Sequence, residues 1–174
     1  LTRDQYNSNK IKELPIKNID YDNSLAPYFS EHIRRQLEDV DKDLGIKIYE
    51  DGLNINTTLD MSIQKIVEKS FDEVMIKNQK IFNESLLNSN NKLKKLSKSF
   101  NITIDSLKTI LSGSVTIPNE FRKKLLVQGS VVVMDTKSGH ILSMIGGRNE
   151  PEYLDHFNRA TQAKRQPGSV FKPF

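Results

Sequence analysis

Apolar positions along this chain switch between two periods, and the switches outline its elements. Tyr28, Phe29, Ile33, Leu37, Val40 and Leu44 recur at spacings of three and four, the single stripe of an amphipathic helix. Pro27 suits the first turn of that helix and Gly45 its end. Leu53, Ile55 and Thr57 then alternate with Asn54, Asn56 and Thr58, which predicts a half-buried strand. Asp60 is a good N-cap for a second helix carrying Ile63, Ile66, Val67, Phe71 and Val74 on one face. The pattern predicts a helix–strand–helix unit over about residues 25–81, with no catalytic-looking side chain in it.

Residues 82–124 are less regular. The stretch 85–99 is rich in Asn, Ser and Lys and predicts a mobile loop or a polar helix. Ile104 to Leu111 predict a short helix ending near Gly113, and Pro118 marks another break. The segment reads as an insertion with no function attached. Regularity returns at Val131-Val132-Val133-Met134, an apolar run expected to be a strand buried on both faces. Thr136 to Gly139 supply a turn, His140 to Ile145 the return strand, and Gly146-Gly147 its end, so a β-hairpin is predicted. A loop of about twenty residues, 148–166, follows, long enough to suggest a functional role. At the other end, residues 1–24 are polar and broken by Pro15, as a tail or linker would be.

Composition narrows the classes. The chain has 174 residues, 36% hydrophobic and 28% charged, with a mean hydropathy of -0.53. No apolar run approaches the ~20 residues that span a bilayer, and the start Leu1-Thr2-Arg3-Asp4 does not read as a signal peptide. The absence of cysteine excludes a disulfide framework and a thiol nucleophile, and His32, His140 and His156 are too scattered to suggest a metal cluster. The net charge of +4 is modest. Its lysines gather in residues 92–98 without interleaved aromatic residues, so a solvated face is favoured over nucleic-acid binding. A basic surface also suits an anionic envelope through long-range attraction.

The candidate chemistry lies at Ser169 and Lys172. Pro167-Gly168 predicts a sharp turn, and Pro173 fits a helix only near its first turn, so a helix beginning close to Ser169 puts Ser169 and Lys172 on one face. A serine hydroxyl becomes a nucleophile when a base takes its proton, and a lysine can be that base once burial or nearby positive charge depresses its pKa. The spacing alone is also compatible with a helix cap and a solvated lysine.

Context adds specificity. Gly129-Ser-Val-Val-Val-Met-Asp135, Gly139, Ile145-Gly-Gly-Arg148, Phe157-Asn-Arg-Ala-Thr161 and Arg165-Gln-Pro-Gly-Ser-Val-Phe-Lys-Pro173 together resemble class A penicillin-binding proteins. Upstream, Leu25-Ala-Pro-Tyr-Phe29, Gly52-Leu-Asn-Ile-Asn-Thr-Thr-Leu-Asp60 and Gln64 are similar to that family's segment before the transpeptidase core. The resemblance implies an α+β fold: a small helix–strand–helix pre-core region, then the opening β-hairpin and serine helix of an incomplete transpeptidase domain related to β-lactamases. Residues 1–24 would be the end of a glycosyltransferase module or a linker, 25–125 a pre-transpeptidase domain with the polar insertion, and 126–174 the start of the transpeptidase domain.

The resemblance further implies a D,D-transpeptidase that cross-links peptidoglycan stem peptides, with Ser169 the nucleophile and Lys172 its base. It implies no cofactor or metal. The parent protein would be a bifunctional synthase on the extracytoplasmic face of the membrane, using lipid-linked glycan precursors and acylated by β-lactams. The family's Ser-x-Asn and Lys-Thr-Gly motifs follow the serine. Ser89-Asn90-Asn91 and Lys137-Ser138-Gly139 precede Ser169 here and are decoys. Residues 1–174 alone are therefore expected to be inactive unless the remaining transpeptidase segment is supplied as a separate chain. The alternatives are a β-lactam sensor or β-lactamase-like relative, and a non-catalytic spacer or interaction module.

Overall fold

The computed structural model describes residues 25–45, 47–150, 153–154, 157–166 and 168. Among them, five helices precede two antiparallel strand pairs: α1 (Pro27–Leu44), α2 (Met61–Leu87), α3 (Asn90–Phe100), α4 (Ile104–Leu111), α5 (Asn119–Leu125), then β1 (Val131–Met134) with β2 (Ile141–Ile145), and β3 (Asn149–Glu150) with β4 (Tyr153–Leu154). The class is α+β. None of the described helices is long and apolar enough to cross a membrane.

Helix α1 begins at Pro27, as its missing N–H allows. Just before it, Ala26 has a φ of 52° and is 3% exposed. A left-handed backbone at a non-glycine residue costs about 1 kcal/mol, and here it sets the alanine methyl against Phe29 and Met144. On the outer face Glu31 accepts from Arg34 at 2.6 Å and from Arg35 at 2.7 Å, while Arg34 also pairs with Glu38. Hydrogen bonding from Arg34 above all holds the Glu31 carboxyl down to about 2, from an ordinary value of 4.5. The pairing therefore contributes fully above the ordinary value and is lost as pH falls toward 2. Because both partners are substantially solvated, Glu31→Gln should cost only about 0.5 kcal/mol. Thermal melts of the two forms should differ at neutral pH and converge near the acid limit.

The predicted strand at 53–58 does not form. These residues are exposed and belong to no ladder, with Leu53 41% and Ile55 48% exposed. Only the end of the segment reaches a strand: Thr58 Oγ1 donates to the Ile141 carbonyl at 2.6 Å, and the Asp60 N–H to that of Leu142 at 2.9 Å. Asp60 then caps α2 as expected, its carboxylate accepting from the N–H groups of Ser62 and Ile63.

Helix α2 runs through 27 residues, about 40 Å at 1.5 Å per residue, well past the boundary expected near Ile81. Its buried face is the predicted one only in part: Phe71 is buried, Val67 packs beside it and Ile63 is half-buried. Ile66 is 66% and Val74 50% exposed, whereas Gln64, Phe71, Met75 and Leu86 are buried. The larger side chains define the covered arc, because Phe71 and Met75 pack with Ile145, Val67, Val127 and Val131.

The last turns of α2 join a second core in the segment expected to be an irregular insertion. Leu86, Leu93, Leu107, Ile110, Leu111, Phe121 and Leu125 form it. Of the two alternatives for 85–99, the helix is the one observed, as the end of α2 followed by α3, and α3 is polar only on its outer face. The left-handed Asn101 (φ 54°) ends α3, Thr103 caps α4, and Pro118 occupies the N-cap position of α5.

The hairpin forms where expected, with Val131 opposite Ile145, Val132 opposite Met144 and Val133 opposite Ser143, and an irregularity before the Met134–Ile141 pair. Gly139 takes a φ of 74° in the turn. Asp135 organises that turn by accepting from the Ser138 hydroxyl and from the N–H groups of Lys137 and Ser138, which lowers its pKa. β1 is not buried on both faces: Val132 is 41% and Met134 54% exposed. Within this two-stranded sheet, only the face bearing Val131 lies against α2.

Candidate functional site

The chain approaches the predicted serine along β2 and the loop after it, and the outer edge of β2 is closed without a third strand. Leu142, Met144 and Gly146 alternate along that edge, as a period of two requires. Leu142 is met by the Asp60 N–H, and the Gly146 carbonyl accepts from the Arg159 N–H at 2.9 Å. Between them stands Gln64 of α2, 1% exposed. Its side-chain carbonyl accepts from the Met144 N–H at 3.1 Å and from the Ser143 hydroxyl at 2.6 Å. Its amide nitrogen donates to the Met144 carbonyl at 3.4 Å and to Glu68 at 2.8 Å. One side-chain amide thus serves the Met144 peptide on both sides, as a neighbouring strand would.

Gly146 and Gly147 follow, and close packing explains both. A Cβ on Gly146 would lie 2.4 Å from Asn158 Oδ1 and 2.5 Å from Tyr28 Cδ1; one on Gly147 would lie 2.7 Å from both Arg159 Nη1 and the Tyr28 hydroxyl. Asn158, 6% exposed, is the centre of the returning loop. Its side-chain oxygen accepts from the Ala160 N–H at 3.0 Å, its own N–H donates to Gln162 Oε1 at 2.8 Å, and its carbonyl accepts from the N–H groups of Thr161 and Gln162. The expected long loop is therefore partly ordered by the β3–β4 pair and by this turn. Nearby, Gln79 of α2 accepts from the Val127 N–H and from Arg148, and donates to the Leu125 carbonyl. Gln128 accepts from the Arg148 N–H at 2.9 Å.

The loop proceeds through residues 159–166 to Gly168, which has a φ of 58°, as the predicted Pro-Gly turn needs. Ser169 and Lys172, like the serine helix predicted from them, lie outside the described residues. The decoys are visible. Ser89 is the N-cap residue of α3, and Ser138 is held by Asp135 in the hairpin turn. The spacing itself is common here, since Ser62 and Lys65 in α2, and Ser89 and Lys92 at the start of α3, also share it.

Sequence reasoning missed the roles of Gln64, Tyr28 and Asn158 in fixing this scaffold. A glutamine within the apolar stripe of α2 was the available signal for the first. A cavity of about 270 Å³ lies between the start of α1, the first half of α2 and the end of β2, lined in part by Tyr28, Gln64, Glu68, Asp72 and Gly147. Burial raises the Asp72 carboxyl there, with Glu68 adding and Arg148 opposing. The cavity's lining contains no serine among the described residues. Among the described residues, no group of three His, Asp or Glu side chains could hold a metal ion.

Comparison with known proteins bears on the same region. The family model for the penicillin binding protein transpeptidase domain matches residues 129–174, the stretch containing the hairpin, the double glycine, the Asn158 turn and Ser169 to Lys172. Penicillin-binding protein 1A of Neisseria flavescens is 51% identical over 49 residues, 28% of this chain and 6% of that protein. Penicillin-binding protein 2D of Bacillus subtilis (strain 168) is 28% identical over 151 residues, 85% of this chain and 14% of that protein. Penicillin-binding protein 1A/1B of the same organism is 26% identical over 171 residues, 95% of this chain and again 14% of the relative. No solved structure matches. Over the matched residues the chain is similar to the transpeptidase domain of penicillin-binding proteins. The chain spans 6% to 14% of the length of these relatives.

Proposed function

We propose that this chain supplies the nucleophilic segment of a serine D,D-transpeptidase within a bifunctional cell-wall synthase. The observation that carries the reading is the match of residues 129–174 to the transpeptidase domain, a range that includes Ser169 and Lys172. In the proposed reaction, the Ser169 hydroxyl oxygen attacks the carbonyl carbon of the penultimate D-alanine of a stem peptide, and the Lys172 amine takes the hydroxyl proton. The Ser169 N–H stabilises the developing oxyanion. Collapse breaks the peptide C–N bond, and the departing D-alanine nitrogen receives a proton. The acceptor amine of a second stem peptide then attacks the ester carbonyl, the acyl C–Oγ bond breaks as the amide cross-link forms, and the proton lost by the amine goes to the Ser169 oxygen. A β-lactam acylates the same serine oxygen as its ring C–N bond opens, and the resulting ester persists.

Within this reading, Gln64, Tyr28 and Asn158 hold the frame that precedes the serine segment in the chain and take no part in bond making. Residues 25–125 act as the pre-core region, and the parent works outside the cytoplasm on lipid-linked glycan and stem peptides. The test is acylation of the intact parent with a fluorescent penicillin, followed by peptide mapping. The adduct should lie on Ser169, and an adduct on any other residue would overturn the assignment. Residues 1–174 alone should take no label.

A further inference from the structure

Much of this protein's net positive charge is concentrated in one helical lobe. Within residues 90–125, seven lysines and Arg122 stand against Asp105 and Glu120, a net +6, so the rest of the chain carries −2 of the total +4. These residues are α3, α4 and α5, which share the core around Leu93, Leu107 and Leu125. On α3, at 100° per residue, Lys94, Lys98 and Lys95 fall within an arc of about 100° opposite the buried Leu93. All three are exposed and none forms an ion pair among the described residues, where the pairs seen lie on α1 and the 47–50 turn. α5 extends the same face, because Lys124 donates to the Ser99 hydroxyl at 2.5 Å and lies 5.2 Å from the Phe100 ring centre, with the exposed Lys123 beside it.

We propose that this helical lobe is an electrostatic docking surface for an anionic phospholipid bilayer. The proposal is independent of the transpeptidase reading. Charge complementarity selects an anionic partner, and three features select a lipid surface. The charges of the face are lysines, hydrated point charges without the fork that fixes a phosphate in one geometry, and mobile headgroups can gather around them. The face lacks a stacking platform for nucleic-acid bases: Phe121 is 7% exposed and packs against Phe100, which lies beneath Lys124. The lysines spread over two helices instead of lining a groove that would track a linear polyanion. The cavity described above lies about 20 Å back along α2.

The test is sedimentation of the 174-residue chain with sucrose-loaded vesicles of phosphatidylcholine alone or with about one-third phosphatidylglycerol. The chain should bind the anionic vesicles and not the neutral ones, and raising salt from about 0.05 M to about 0.5 M should abolish binding. Lys94→Gln, Lys95→Gln and Lys98→Gln together should weaken partition by about 100-fold, roughly fivefold for each charge. The same three positions changed to Arg should retain binding, and circular dichroism should report the same helix content for both variants. Equal binding to neutral vesicles, or undiminished binding by the Gln variant, would overturn the proposal. So would a soluble oligonucleotide or polyphosphate that displaces the vesicles at equal phosphate concentration, in favour of a linear polyanion.

Discussion

Gly146→Ala should destabilise the chain by about 3 kcal/mol and release the loop leading to Ser169. The added Cβ would lie 2.4 Å from Asn158 Oδ1 and 2.5 Å from Tyr28 Cδ1. Neither neighbour can swing away cheaply. Tyr28 is 6% exposed at the start of α1, and Asn158, also 6% exposed, holds the 158–162 turn through its oxygen, N–H and carbonyl. Either β2 shifts away from α1 or the turn gives up hydrogen bonds. Urea denaturation of the chain measures the loss, and in the intact parent penicillin labelling should fall with it. Asn158→Ala in the Gly146→Ala background should cost less than in the wild type, since the two residues are in contact. A Gly146→Ala variant within about 0.5 kcal/mol of wild type would show that this packing does not constrain the loop.

Gln64→Leu should cost a comparable amount, about 3 kcal/mol, although leucine keeps much of the glutamine volume. The replacement leaves the Met144 N–H and the Ser143 hydroxyl without their shared acceptor, in a place where Ser143 is 0% and Met144 1% exposed. The Met144 carbonyl loses its donor as well. A buried orphan of this kind costs about 1–3 kcal/mol, which outweighs any gain from burying more hydrocarbon. Hydrogen exchange adds a local readout. The Met144 amide should exchange much faster in the variant, while that of Leu107, in the separate helical core, should change only by the global loss of stability. If the Met144 amide stays as protected as before, another group closes the edge of β2 and the role given to Gln64 is lost.

Short-range chemistry was enough to locate Pro27 and Asp60 at helix starts and Gly139 at a left-handed turn, because each follows from φ preferences or capping within a few residues. The Ser169 and Lys172 motif was equally legible as local sequence, and it drew its meaning from the run of motifs around it. Burial was not legible in this way. α2 carries apolar residues on two arcs, and periodicity, which found Phe71, could not tell that Met75 and Leu86 would find partners while Ile66 and Val74 would not. Alternation at 53–58 looked like a strand, but a ladder needs a free edge at the right height, and Gln64, Asp60 and Arg159 already close that of β2. The lysine-rich stretch concealed Leu93, Leu96 and Phe100, whose burial depends on the end of α2 and on α4 and α5. What a residue does alone is set by its own backbone and neighbours; what it is buried against is set by distant segments, and only their packing decides it.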